Sequence, residues 1–313
     1  MQRTVSMTFA VKNIRLGLYA RQRKDRQDMK VQILELIEGA KRAEGLTVII
    51  DVFRAFTTEC YCFDGGAVKS YPIGSMEAAF ALKRAHPDWV LLGERGGAKV
   101  EGCDLGNSPW DASNYDFRGK TMIHSTSAGT QGIVNAANAR ASEIVTGSLV
   151  NARAVCEYIR ARDPEVVSLV AMGKAGLSPV PEDLLAARYM QWMLEHEAPV
   201  KGGTLPKHES SSDDVVSSGY GLTGGRGALA SQAQADERRS GIAGTMPASG
   251  RFDIDAEVAY LKDHGGQQFF DPALAHIFPR EDYALCTAVD RFDFVLRVSR
   301  EEDALVIRRL NRQ

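Results

Sequence analysis

The sequence predicts an α/β fold: a layered α/β/α arrangement on a mostly parallel or mixed sheet. Two observations carry this. Short apolar runs alternate with helical patterns through most of the chain, as βα units require. The run LTVIIDVF (46–53) is continuously apolar and ends in an acid, the mark of a strand buried on both faces.

The elements follow in order. Residues 1–28 are basic and irregular (Arg15, Arg21, Arg23, Lys24, Arg26) and read as a tail without a secretory apolar core, although a mitochondrial presequence is an alternative without support in the pattern. Met29 opens the first regular pattern, and KVQILEL (30–36) is the first strand. After 46–53 a helix runs through TTECYCF and stops at Gly65-Gly66. AVKSYPIG (67–74) is a strand, and SMEAAFALKRAH (75–86) a helix with Ser75 as its cap. WVLLGE (89–94), TMIHST (121–126), EIVTGS (143–148) and VVSLVAMG (166–173) are further strands. TQGIVNAANA, NARAVCEYIRAR and EDLLAARYMQWMLEH are helices between and after them. Residues 29–203 thus form an α/β core. Residues 204–250 are rich in Ser, Gly, Gln and Asp with almost no apolar period, so they read as a flexible low-complexity insertion. Residues 251–313 return to the same unit with a helix over 253–264 and two short strands, YALCTAV and FDFVLRV.

Composition excludes several functions. A formal net charge of −2 leaves no footprint for nucleic acid or an acidic membrane. No apolar run approaches the roughly 20 residues of a membrane span. The five cysteines (60, 62, 103, 156, 286) are odd in number and lack a C-x-x-C pair, which fits free thiols in a cytoplasmic protein and argues against zinc.

Ligands of open α/β sheets bind beyond the carboxyl ends of the strands. Five such ends here are polar. They deliver Asp51 and Arg54 with Thr57 and Thr58; Glu94 and Arg95 with the Gly-rich run to Asn107; the run HSTSAGTQG (124–132); Ser148; and Lys174 with Glu182 and Asp183. Ser125, Thr126, Ser127, Gly129 and Thr130 combine hydroxyl donors, a glycine and a helix start, which suits a phosphate cradle. The alternative is a cluster of helix caps. The run lacks the Walker pattern G-x-x-x-x-G-K-[ST]. Asp51 is a metal ligand, a nucleophile or a helix cap, and the Asp-x-Asp of haloacid-dehalogenase phosphatases is absent. Arg95 suits bidentate recognition of phosphate or sulfonate, or else pairs with Glu94 or Glu101 at the surface. Glu182 and Asp183 open a helix, where the dipole alone favours acids. With Asp51 and Glu94 they form a carboxylate set of the kind magnesium prefers. His124 is a proton donor or a buried structural histidine, and His264 is a weaker candidate of the same kind.

The stretches VIIDVFRAFTT (48–58), GERGGAKVEGCDLGNSP (93–109), HSTSAGTQG (124–132), TGSLVNA (146–152), AMGKAGLSPVPEDLLAA (171–187) and DYALCTAVDRFDFVLRV (282–298) together resemble the 2-phosphosulfolactate phosphatase family. The resemblance covers about residues 30–200 and 252–300. It implies magnesium-dependent hydrolysis of (R)-2-phospho-3-sulfolactate to (R)-3-sulfolactate and phosphate, on the route to coenzyme M. Phe56 stands where a small hydroxyl residue is usual and Ala128 where an asparagine often follows the hydroxyls, and both are expected to line the pocket. Cys103 replaces a typical aromatic, and the 204–250 insertion is not a family feature.

The expected function is therefore a magnesium phosphatase acting on a small anionic substrate, with neither nucleic acid nor membrane as partner and with a homodimer as its assembly. Asp51, Arg54, Glu94 and Arg95 are its expected catalytic groups. Thr57, Thr58, Asn107, Ser125, Thr126, Ser127, Gly129, Thr130, Ser148 and Lys174 are expected to bind substrate. Asp51, Glu94, Glu182 and Asp183 are the expected metal ligands. The alternatives are a phosphatase for a different phosphorylated acid and a non-catalytic sensor using the same cradle. A nicotinamide oxidoreductase is disfavoured, because no strand leads into G-x-G-x-x-G.

Overall fold

A computed structural model describes residues 29–197 and 252–311. The expected tail (1–28) and insertion (204–250) lie outside the described residues. Ten strands form one mixed sheet. They are β1 (Lys30–Glu35), β2 (Glu44–Ile50), β3 (Lys69–Pro72), β4 (Val90–Arg95), β5 (Ala98–Lys99), β6 (Thr121–Ser125), β7 (Arg140–Gly147), β8 (Val166–Ala171), β9 (Val295–Glu301) and β10 (Ala304–Leu310). The helices are α1 (Leu36–Ala40), α2 (Ala55–Asp64), α3 (Met76–Ala85), α4 (Pro109–Ser113), α5 (Gly129–Ala137), α6 (Ala152–Arg162), α7 (Pro181–His196), α8 (Ile254–Leu261) and α9 (Arg280–Cys286). None of the described helices is long and apolar enough to cross a membrane.

The strand order is β1-β8-β2-β7-β9-β10-β3-β6-β4-β5. It divides into two parallel half-sheets, β1-β8-β2-β7 and β3-β6-β4. The antiparallel hairpin β9–β10 splices them, pairing with β7 on one side and with β3 on the other, both antiparallel. The half-sheets therefore run in opposite senses. In a flat sheet their carboxyl ends would lie at opposite edges. Strand twist adds about 20–25° per step, and five steps separate β2 from β6. The ends meet: the Gly129 N–H beyond β6 donates to Asp51 Oδ2 beyond β2 at 3.1 Å. The sequence reading placed the polar ends on one carboxyl edge. They belong to two edges turned toward each other, because parallel runs alone do not reveal that a hairpin from the chain terminus inverts one half.

Helix α2 joins the halves. Every residue from Ala55 to Phe63 is buried, so it has no solvent face, in keeping with a helix apolar nearly all round. It follows β2, yet Thr58 Oγ1 donates to the Asn107 carbonyl of the other half at 3.1 Å. One apolar cluster spans both halves, with Ile49 and Val170 from one and Leu92 and Met122 from the other around Phe56, Phe63, Phe117 and Phe294. A second packs α6 and α7 on the outer face of β2, β7 and β8.

Two departures from expectation lie in the C-terminal part. YALCTAV is not a strand: Tyr283–Cys286 belong to α9. Pro279 precedes that helix, and Asp282 and Cys286, one turn apart, both face inward and are buried. β10 was not expected. It forms because the turn after Glu301 places Glu302 in the left-handed region (φ 52°) and folds the chain back on β9 in seven-residue register.

Candidate functional site at the meeting strand ends

Asp51 leaves β2 where the chain turns into α2. Its Oδ1 accepts the Ala55 N–H and its Oδ2 the Gly129 N–H, each at 3.1 Å. It is thus a helix cap with one oxygen and a tie between the ends of the two half-sheets with the other. Gly129 permits the approach: a Cβ there would stand 3.1 Å from Asp51 Oδ2 and 2.9 Å from Phe56 Cζ. Phe56, which the sequence reading expected at the pocket, is fully buried and packs close under Gly129. Ala128 is buried beside it.

The Gly-rich stretch 93–109 is more regular than expected. Residues 94–99 form a tight hairpin, with Glu94 opposite Lys99 and Arg95 opposite Ala98. Glu94 is buried; its Oε2 accepts the Gly97 N–H at 2.8 Å and its Oε1 the Ser127 N–H at 2.6 Å. Arg95 is exposed and pairs with neither Glu94 nor Glu101. Its guanidinium donates to the Glu94 carbonyl at 2.6 Å and to Ser125 Oγ at 3.1 Å.

The hydroxyl run divides its work. Thr126 Oγ1 accepts the Thr130 N–H, and Thr130 Oγ1 donates back to the Thr126 carbonyl, both at 3.1 Å, a local cap. Ser125 receives Arg95. Ser127 Oγ is buried without a partner among the described residues. The free N–H groups of Ser127 and Gly129 do bind anionic oxygens, as the cradle reading requires of them, but those oxygens are the chain's own Glu94 and Asp51.

From α7, Asp183 braces two neighbouring turns: its oxygens accept the Val52 N–H at 2.7 Å and the Gly173 N–H at 2.8 Å. Glu182 is buried, and its Oε2 has no hydrogen-bond partner among the described residues. Gly265 covers it, since a Cβ there would meet that oxygen at 2.9 Å. Burial raises the carboxyl of Asp51 well above the usual range, and the charges of Asp183 and Glu94 raise it further. Glu182 is raised by burial and then by Asp51, and Asp183 by burial and then by Glu182. Carboxyl groups are therefore gathered where the strand ends meet, and without a cation beside them Asp51, Glu182 and Asp183 keep their protons to a higher pH than usual.

That gathering fits a hard cation. No group of three or more His, Cys, Asp or Glu is arranged as a ready metal site among the described residues. Magnesium commonly needs only one or two protein carboxylates, with water and substrate phosphate completing its shell. Asp51 and Glu182 suit it best, because Glu182 Oε2 is unpartnered and the two charges act on each other.

Other expected residues are placed differently. Thr57 Oγ1 and Ser148 Oγ share a hydrogen bond of 2.6 Å inside the core, and Thr57 also donates to the Val52 carbonyl at 2.8 Å. Thr58 and Asn107 tie α2 to the second half-sheet. Arg54 is buried in an ion pair with Asp282 at 2.7 Å. Lys174 is exposed on the turn after β8. His124 is buried between Glu59 (Nδ1 to Oε1, 3.4 Å) and Asn107 (Nε2 to Oδ1, 3.2 Å), matching its structural alternative. His264 is an exposed residue stacked on Tyr260. The sequence reading missed Glu59 and Asp282. A lone acid inside an otherwise apolar helical run was the available signal for Glu59; Asp282 was hidden by the strand expectation.

The sequence matches known proteins over the part of the chain that carries most of these residues. A family described as 2-phosphosulpholactate phosphatase matches residues 31–217, more than half of the chain. A probable 2-phosphosulfolactate phosphatase of Carboxydothermus hydrogenoformans is 37% identical over 174 residues, which cover 55% of this chain and 71% of that protein. Proteins of the same description from Bacillus subtilis (33% over 152 residues; 48% of this chain, 64% of that one) and Thermus thermophilus (36% over 142 residues; 45% and 58%) are also similar.

Proposed function

The chain belongs to the 2-phosphosulpholactate phosphatase family, and from that premise we propose that it hydrolyses the phosphate monoester of a small anionic acid with the aid of magnesium. The substrate that the relatives' descriptions suggest is (R)-2-phospho-3-sulfolactate, giving (R)-3-sulfolactate and phosphate. One observation carries the reading: buried carboxyl groups from both half-sheets gather where the strand ends meet, with Asp51 bonded across to Gly129 and Glu182 keeping an oxygen without a hydrogen-bond partner among the described residues.

Asp51 and Glu182 would hold the cation, which supplies Lewis-acid polarisation of a phosphoryl oxygen. Arg95, whose guanidinium is braced on Ser125 Oγ, would take the phosphate oxygens as charge develops on them. Lys174, exposed on the turn after β8, would suit the second acid group of the substrate. Glu94 and Asp183 keep the turns in place by accepting backbone N–H groups. Asp51 as a covalent nucleophile is the variant of this mechanism, and trapping of a phosphoenzyme separates it from attack by water.

The test is phosphate release from (R)-2-phospho-3-sulfolactate and from p-nitrophenyl phosphate, with magnesium and with excess chelator. Turnover that chelation abolishes and magnesium restores is expected. Full activity in chelator removes the metal from the mechanism; tight binding of the phosphorylated acid without release makes the protein a sensor.

A further inference from the structure

Arg54 was expected to touch substrate, but it is buried and three of its N–H donations go to the chain itself. It is 3% exposed. Its Nη1 donates to Asp282 Oδ2 at 2.7 Å and to the Ile277 carbonyl at 2.8 Å, and its Nη2 donates to the Gly97 carbonyl at 2.5 Å. The flat of the guanidinium lies 4.7 Å from the centre of the Phe278 ring. Asp282 is fully buried and is satisfied in turn by Ser108 Oγ at 2.7 Å and the Trp110 N–H at 2.9 Å.

Gly97 is the link to the site. Its carbonyl is held by Arg54, and its N–H holds Glu94 Oε2 at 2.8 Å. The residue sits at φ +87°, and a Cβ would meet Phe278 Cζ at 2.4 Å, so this hairpin tip is wedged against the C-terminal segment. Glu94 then receives the Ser127 N–H through its other oxygen. The bonds run without a gap from Asp282 through Arg54, Gly97 and Glu94 to the loop that crosses to Asp51. Residues 277–282 lie beyond the 31–217 stretch that the family matches.

We infer that Arg54 is a positioning residue: held by Asp282, it fixes the Gly97 turn and thereby the Glu94 carboxylate and the Ser127 loop. The C-terminal segment is thus part of the active-site scaffold. The inference rests on the preceding reading only in taking the meeting strand ends for the reaction site.

The experiment compares Arg54→Lys, Asp282→Asn and Phe278→Ala in the full chain by steady-state kinetics and by hydrogen exchange of the Gly97 and Ser127 amides. Expected is a fall in kcat of about 10²-fold for Arg54→Lys and Asp282→Asn, as for misplacement of a group near the chemistry. KM should stay within about twofold. Both amides should exchange faster in all three variants, with Phe278→Ala the mildest. A raised KM with unchanged kcat in Arg54→Lys would mean direct substrate binding and overturn the inference. So would unchanged exchange at both amides in Asp282→Asn, or in Phe278→Ala should Asp282→Asn not fold. If the parent protein releases no phosphate, the functional reading fails, yet the exchange measurements still decide this one.

Discussion

Gly129 has nothing in its place but a hydrogen, and the site depends on that. A methyl group there would press on Phe56 and on Asp51 Oδ2 together. Gly129→Ala is expected to cost about 1–3 kcal/mol of stability, the usual range for overpacking, and at least about tenfold in kcat, since each 1.4 kcal/mol of barrier is one decade. Denaturant melts and kinetics check both; wild-type kinetics would mean that the crossing bond is dispensable. Glu182 poses the opposite problem, an acid with an unpartnered oxygen. Asp51, Glu182 and Asp183 all have folded-state carboxyl pKa values above their unfolded ones. The folded chain therefore binds more protons than the unfolded chain between the two ranges, and stability falls as pH rises through that window. Metal-free protein should melt lower at about pH 9 than at about pH 6, magnesium should remove most of the difference, and Glu182→Gln should shrink it. A pH-independent melting temperature in chelator would show that these charges do not strain the fold.

At the scale of elements, α7 anchors both flanks of the long segment 198–251. Glu197 pairs with Arg153 at 2.9 Å, and Arg153 also reaches Tyr189 OH of α7 at 3.4 Å. Phe252, where the described chain resumes, packs on Tyr189 and Trp192 with ring centres 5.5 and 6.1 Å apart. Two flanks that meet on Tyr189 can be joined by a short Gly/Ser linker at little entropic cost. Replacing 198–251 in this way should leave melting temperature and activity near those of the parent, and loss of soluble protein would refute it. The strands that sequence reading found were those with strong apolar runs, such as 46–53 and 166–173, because burial on both faces leaves an unbroken pattern. The polar ends of β2, β4 and β6 were legible for the same reason: an acid or hydroxyl stands out against such runs. What stayed illegible was pairing. Nothing in ALVIRRL announces that it will splice two half-sheets, and YALC reads equally as strand or helix until Asp282 finds Arg54. The roles within HSTSAGTQG were hidden as well, since its N–H groups bind carboxylates that lie 33 and 78 residues away in sequence.

Across the whole molecule, opposed half-sheets invite the expectation of two independently melting bodies. The packing argues for one. Between β10 and β3 only Ile307 and Ser70 are in register, so the splice itself is weak. Helix α2 supplies the missing cohesion: it is buried on all sides and belongs to a cluster drawn from both halves, so neither half retains a complete core without it. Loss of either half would strip apolar surface from the other at about 25 cal/mol per Å², which couples the two into a single transition. The cysteines report on this. Cys156 belongs to the first half and Cys103 to the second, while Cys60, Cys62 and Cys286 lie at the junction, and all five are buried and free. Burial raises every one of these thiols above its ordinary range, so none should react with a disulfide reagent in the native protein. In a urea series, labelling followed by peptide mass spectrometry should give one common midpoint for Cys103, Cys156 and the junction thiols. A lower midpoint for Cys103 than for Cys156, or the reverse, would mean that one half opens alone. The meeting strand ends would then be a joint between bodies that separate, and the carboxyl groups gathered there would owe their geometry to ligand binding more than to the fold.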